Sequence, residues 1–254
     1  MGFGGAAPGC EMTRPLLFPS IDLLGGRVVR LRQGDYAQTT TYDSDAVDVA
    51  MSYCDGGAEW VHVVDLDAAK TGERVNHEIV AAVAAAVAGR ASVQVGGGVR
   101  SVDDAAALAD AGVTRVVMGS AAVADPSLVD VVAGRVPVAV GLDHRSGVLA
   151  VHGWTESSGV ALVDALDRFP AASAFVITDI DRDGLLGGPD VDGLAAAAGA
   201  TGTPVIASGG VSSLDDIRRL AAIPGLGGII AGRSLYECRF TVAEAVAAIE
   251  CATP

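Results

Sequence analysis

Carboxylates recur where apolar runs end. Asp22 closes the run from Leu16, Asp65 the run from Trp60, Asp143 the run from Pro137 and Asp179 the run from Ala174, with Asp183 four positions on. In an acidic chain several of these read equally well as helix caps or surface charge. Asp22 and Asp143 are harder to read that way, because each ends an apolar strand. Two carboxylates flanking a bound sugar can divide proton transfer, one as base and one as acid, if their surroundings push their pKa values apart. No Ser-His-Asp, Cys-His, Walker or zinc spacing competes. The histidines (His62, His77, His144, His152) are scattered, and no metal site is expected. Trp154 precedes a polar loop and reads either as core or as a face on which a planar substrate stacks.

Glycines supply a second chemistry. Val205–Ala207 runs into Gly209-Gly210, and Ser213 then caps a helix with Asp216 completing a Ser-x-x-Asp pattern. Paired glycines admit a ligand close to backbone N–H groups, and a helix N-terminus beside them favours an anion. The arrangement is a phosphate cradle made without lysine. It occurs twice: Gly97 aligns with Gly209, Val99 with Val211, Ser101 with Ser213, and Asp104 with Asp216, all at one offset. Val64–Asp67 likewise echoes Thr178–Asp181. The chain therefore reads as two similar halves. The bland alternative is a pair of tight turns copied by duplication.

The elements that position these groups follow from periodicity. Strands are expected at 16–22, 60–65, 92–96, 114–119, 137–143, 174–179, 205–207 and near 227–231. Helices are expected at 46–56, 76–88, 101–111, 126–132, 158–168, 191–198, after Ser213 and around 242–249. Segments 27–32 and 147–154 read as extended returns, and 35–45 as an irregular loop. Eight strand–helix units with a half-chain repeat predict an α/β fold, a (β/α)8 barrel of two similar half-barrels, over a doubly wound sheet. Functional groups then sit at the C-terminal ends of the strands. The two cradles, half a turn apart, imply an elongated ligand with a phosphate at each end.

Composition agrees. The chain has 254 residues, 50% hydrophobic and only 4% aromatic, which suits parallel strands buried on both faces. Residues 15–254 are expected to form one domain, and 1–14 a disordered tail without signal-peptide character. A formal net charge of −14 argues against nucleic acid or an anionic membrane as partner, so an anionic substrate must be held by local dipoles and a few arginines; Lys70 is the sole lysine. Cys10, Cys54, Cys238 and Cys251 lack metal or redox spacing and read as reduced thiols of a cytoplasmic protein. The protein is expected to act as a monomer.

The segments at 21–31, 63–68, 94–100, 151–154, 178–184 and 230–235 together resemble the ProFAR isomerase family of histidine biosynthesis, from about Leu16 to Ile249. The resemblance implies a cofactor-free Amadori rearrangement, aminoaldose to aminoketose, of a substrate with two phosphates. It makes Asp22 the base, and either Asp143 or Asp183 the acid that opens the furanose. It places Arg30 and Thr178 on the substrate, Trp154 against it, and Gly98, Gly119, Ser120, Gly210, Gly232 and Arg233 around the phosphates. Leu185 departs from the pattern, since the family usually has Thr there.

Three rivals remain. A sister barrel, the cyclase subunit of imidazole glycerol phosphate synthase, usually has Lys where Arg30 stands. A bifunctional branch also acts on phosphoribosylanthranilate; it tends to have Ser at Gly96 and Arg at His152. A non-catalytic phosphate-binding barrel would keep the glycines and lose the acids.

Overall fold

Runs rich in valine, isoleucine and alanine form strands because helices cover one face and the barrel interior the other. The structure, a computed structural model, describes residues 14–151 and 153–252. Twelve strands form among them: β1 Leu16–Leu24, β2 Arg27–Arg32, β3 Asp35–Thr41, β4 Trp60–Asp65, β5 Ser92–Gly96, β6 Arg115–Met118, β7 Val138–Arg145, β8 Val148–Val151, β9 Glu156–Ala161, β10 Ala174–Asp179, β11 Val205–Ser208 and β12 Leu226–Ala231. Parallel pairing runs β1, β4, β5, β6, β7, β10, β11, β12 and returns to β1. That closes the predicted eight-stranded barrel.

Two apolar layers hold it. Phe18, Ala139, Ala174, Val176, Ile206 and Ile230 fill the interior. The larger layer lies between strands and outer helices, with Ile21, Val63, Val95, Phe175, Ile217 and Leu220 fully buried. Each such large side chain contributes roughly 1.5–3 kcal/mol by leaving water.

The interior also holds a polar layer that the sequence did not suggest. Register makes neighbours of Ser20, His62, Gln94 and Arg115. Arg115 Nε donates to Gln94 Oε1 at 2.9 Å, and Gln94 Nε2 contacts His62 Nδ1 at 2.9 Å. The Arg115 guanidinium lies 4.3 Å from the centroid of the Trp60 ring. Burial lowers the His62 pKa to about 3, so the ring is neutral and its Nδ1 accepts.

The duplication is visible in the backbone. Gly97 and Gly209 have φ of 96° and 93°, and Gly98 and Gly210 have 72° and 81°. Ser101 and Ser213 cap their helices with φ of −146° and −149°. Each half also adds an antiparallel extension after its first strand: β2 and β3 on β1, β8 and β9 on β7.

Those extensions correct two expectations. Residues 35–41 are strand β3, not loop, and Thr39–Thr41 pair with Val29–Leu31. The strand is largely exposed, so it lacks the apolar alternation that marks a half-buried one. Residues 156–161 are strand β9, and the helix expected from Ser158 begins at Leu162, where apolar spacing starts. Three short helices were missed. Leu66–Thr71 is capped by Asp65, and Ser120–Ala124 and Arg233–Tyr236 begin at Gly119 and Gly232.

Of the expected tail, residues 1–13 lie outside the described residues. Arg14, assigned to it, pairs with Glu59 at 3.0 Å and Glu250 at 2.5 Å. Among the described residues no helix is long and apolar enough to cross a membrane.

Candidate active site

Asp22 lies near the end of β1, opposite Val29 of the returning β2. That return carries Arg30 back over the mouth of the barrel. Arg30 Nη1 meets Asp22 Oδ2 at 2.8 Å, and Nη2 meets Asp183 Oδ1 at 3.3 Å. Burial raises the Asp22 pKa above the ordinary carboxylate value, and Arg30 opposes the rise. The free acid thus persists to higher pH than usual, and the ionised form is a stronger base.

Asp143 ends the apolar part of β7, with Thr178 beside it on β10. Trp154 Nε1 donates to Asp143 Oδ2 at 2.7 Å. Burial raises the Asp143 pKa, while the Trp154 indole and the Thr178 hydroxyl hold it down. Asp183 raises both Asp22 and Asp143 through its own charge, so it stands within electrostatic reach of each. Three carboxylates and one guanidinium therefore converge at the mouth.

The other strand-end carboxylates have structural tasks. Asp65 Oδ1 accepts from Ala68 N at 3.0 Å and from Asn76 Nδ2 at 2.7 Å. Asp179 Oδ2 accepts from Arg182 Nε at 2.9 Å. Both pin loops.

The second cradle joins this centre. Arg30, Asp183, Gly184, Gly209, Gly210, Gly232 and Arg233 line one open cleft. A Cβ on Gly232 would stand 2.6 Å from Ser20 Oγ and 2.8 Å from Arg30 Nη1. In the other half, Gly97 and Gly98 line an open cleft with Arg74, His77 and Asp104. Gly119 and Ser120 are not among its lining residues; they begin the short helix after β6. His152 lies outside the described residues.

A sequence model of a family described as "Histidine biosynthesis protein" matches residues 16–241. The chain belongs to that family. Members similar to it include proteins from Rhodospirillum rubrum (47% identity over 92% of this chain and 99% of the relative), Bacillus pumilus (42%, 94% and 99%) and a Picosynechococcus strain (46%, 92% and 93%). All three are named 1-(5-phosphoribosyl)-5-((5-phosphoribosylamino)methylideneamino)imidazole-4-carboxamide isomerase.

Within this family framework the chain has features that its sequence did not disclose. Asn76 is fully buried and binds Asp65, Asp67 and Gly26 N, tying the turn after β1 to the end of β4. The sequence showed it only as the first residue of the helix expected at 76–88. Gly34 sits under Trp154: a Cβ there would lie 2.7 Å from the indole. The only signal was a glycine in a polar turn. Both are packing relations between segments far apart in the chain.

Proposed function

We propose that this protein catalyses the cofactor-free Amadori rearrangement of ProFAR, the substrate its relatives are named for, within histidine biosynthesis. Asp22 is the base that removes the C2 proton. Asp143 or Asp183 is the acid that protonates the ring oxygen and opens the furanose. Loss of the C2 proton from the opened iminium gives an enaminol, which becomes the aminoketose when C1 takes up a proton and the C2 hydroxyl gives one up. Arg30 and Thr178 position the ribose. Trp154 stacks on the substrate, and His152 is a further substrate-binding residue. Gly97, Gly98, Gly119 and Ser120 receive one phosphate; Gly209, Gly210, Gly232 and Arg233 receive the other. Residues 15–254 act as one domain, as a monomer, in the cytoplasm.

The observation that carries this reading is the convergence of Asp22, Asp143 and Asp183 on the mouth beside Arg30. A non-catalytic phosphate-binding barrel has no use for three carboxylates held there.

Nothing favours phosphoribosylanthranilate as a second substrate. Its carboxylate calls for a bidentate arginine, and His152 is shorter and often neutral near pH 7. Gly96 likewise lacks the hydroxyl of the bifunctional branch. Assays with both compounds test this: high kcat/KM for ProFAR and at most trace turnover of phosphoribosylanthranilate are expected. Comparable values would overturn the single-substrate reading.

A further inference from the structure

The loop that carries Asp183 is stitched to the second cradle at two points. Gly188 N donates to Gly210 O at 3.0 Å. Arg233 Nη1 donates to the carbonyl of Gly184, the residue after Asp183. From its other side Arg233 is held by Glu237, with Nε to Oε1 at 2.5 Å. Among the described residues its Nη2 has no hydrogen-bond partner, and the side chain borders the same cleft as Gly209, Gly210 and Gly232.

The first half has the same strap in another form. Arg100 Nη2 donates to Ala69 O at 2.7 Å, holding the segment after β4. That segment bears no carboxylate that meets Arg30. Among the described residues, only in the second half does an arginine at a cradle grip the residue adjoining a candidate acid.

We propose that Arg233 is a positioning residue for Asp183 as well as a phosphate ligand: a terminal phosphate taken by its free donors fixes the guanidinium, and the guanidinium fixes Gly184 and so Asp183. Phosphate capture thereby sets the acid-bearing loop. The proposal rests on the isomerase reading of the site, and specifically on a role for Asp183 in turnover. A guanidinium suits the task because its planar fork can serve two acceptors at once, whereas an ammonium is a point charge.

Steady-state kinetics with ProFAR on four forms test it: Arg233→Lys, Glu237→Gln, Asp183→Asn, and Arg233→Lys combined with Asp183→Asn. Arg233→Lys keeps the charge and loses the fork, so kcat should fall about 10- to 100-fold while KM changes little. Glu237→Gln loosens the same guanidinium from its far side and should lower kcat in the same direction, by less. In the Asp183→Asn background, Arg233→Lys should add almost no further loss. A raised KM with wild-type kcat in Arg233→Lys, or independent losses that multiply in the double variant, would overturn the proposal and leave the site reading standing. Wild-type kcat in Asp183→Asn would overturn the proposal and leave Asp143 as the acid; wild-type kcat in both Asp183→Asn and Asp143→Asn would overturn the site reading as well.

Discussion

The Trp154 indole N–H donates to Asp143 Oδ2 at 2.7 Å, from a residue whose own φ is 74°. A bulky side chain in the left-handed region is strained by about 1–3 kcal/mol, so its surroundings must hold it there. Arg145 Nη1 donates to the Trp154 carbonyl at 2.9 Å, and the ring packs on Gly34. The tryptophan expected to stack on a substrate also tunes a carboxyl group.

Removing that donor should move a pH limb. The indole stabilises the ionised form of Asp143, so Trp154→Phe should raise its pKa further. If Asp143 is the acid, activity lost as pH rises will then be lost at a higher pH. The basic limb of the kcat/KM profile should shift upward and maximal kcat fall about tenfold. An unmoved basic limb would show that Asp143 is not the group seen there.

Asp22→Asn keeps the shape and removes the proton acceptor. Turnover should drop about 10²–10⁴-fold or more, while calorimetry should still detect ProFAR binding. Near wild-type turnover would remove Asp22 from the chemistry.

The two candidate acids separate in parallel. Whichever of Asp143→Asn and Asp183→Asn loses turnover as deeply as Asp22→Asn marks the acid, and the other should chiefly raise KM. Small, equal losses in both would contradict the scheme.

His62 should appear in the pH dependence of stability. Folded, its pKa is lowered from 6.5 to about 3, chiefly by burial. Between those values the unfolded chain binds the extra proton, so its contribution is full above 6.5 and is lost as pH falls toward 3. The Tm of the wild type should fall between about pH 6.5 and 5 more steeply than that of His62→Gln. Parallel Tm curves would place His62 in a solvated setting.

Valine at a cradle glycine should unfold the protein before it blocks a ligand. A Cβ on Gly98 would stand 2.6 Å from the Ala68 carbonyl oxygen, and one on Gly210 would stand 2.4 Å from the Gly188 oxygen, both at positive φ. Gly98→Val and Gly210→Val should lower Tm steeply. A normal Tm with a raised KM would mean that the loops yield.

The barrel was legible because buried strands and amphipathic helices leave periodic marks, and because the duplicated Gly-Gly and Ser-x-x-Asp segments state the architecture twice. Ending an apolar run marked Asp22 and Asp143, but it marked Asp65 and Asp179 as well, and only the fold shows the latter two pinning loops. The Arg30 bridge to Asp183 spans distant positions, and only the fold brings them together. β3 was missed because Asp35–Thr41 is polar on both faces, and the task of Gly34 because it depends on a ring 120 residues away.

The glycine floors of the two clefts carry a historical consequence. At Gly97, Gly98, Gly209 and Gly210 the obstruction to a side chain is the protein's own backbone, whatever ligand is bound. Drift at these positions is therefore barred by the fold itself, and would stay barred in a descendant that no longer met a phosphate. New specificities must arise from the walls, at positions such as Arg30 and Arg233 in one cleft and Arg74 in the other. A selection for altered substrates should accumulate its changes there and leave the floors untouched.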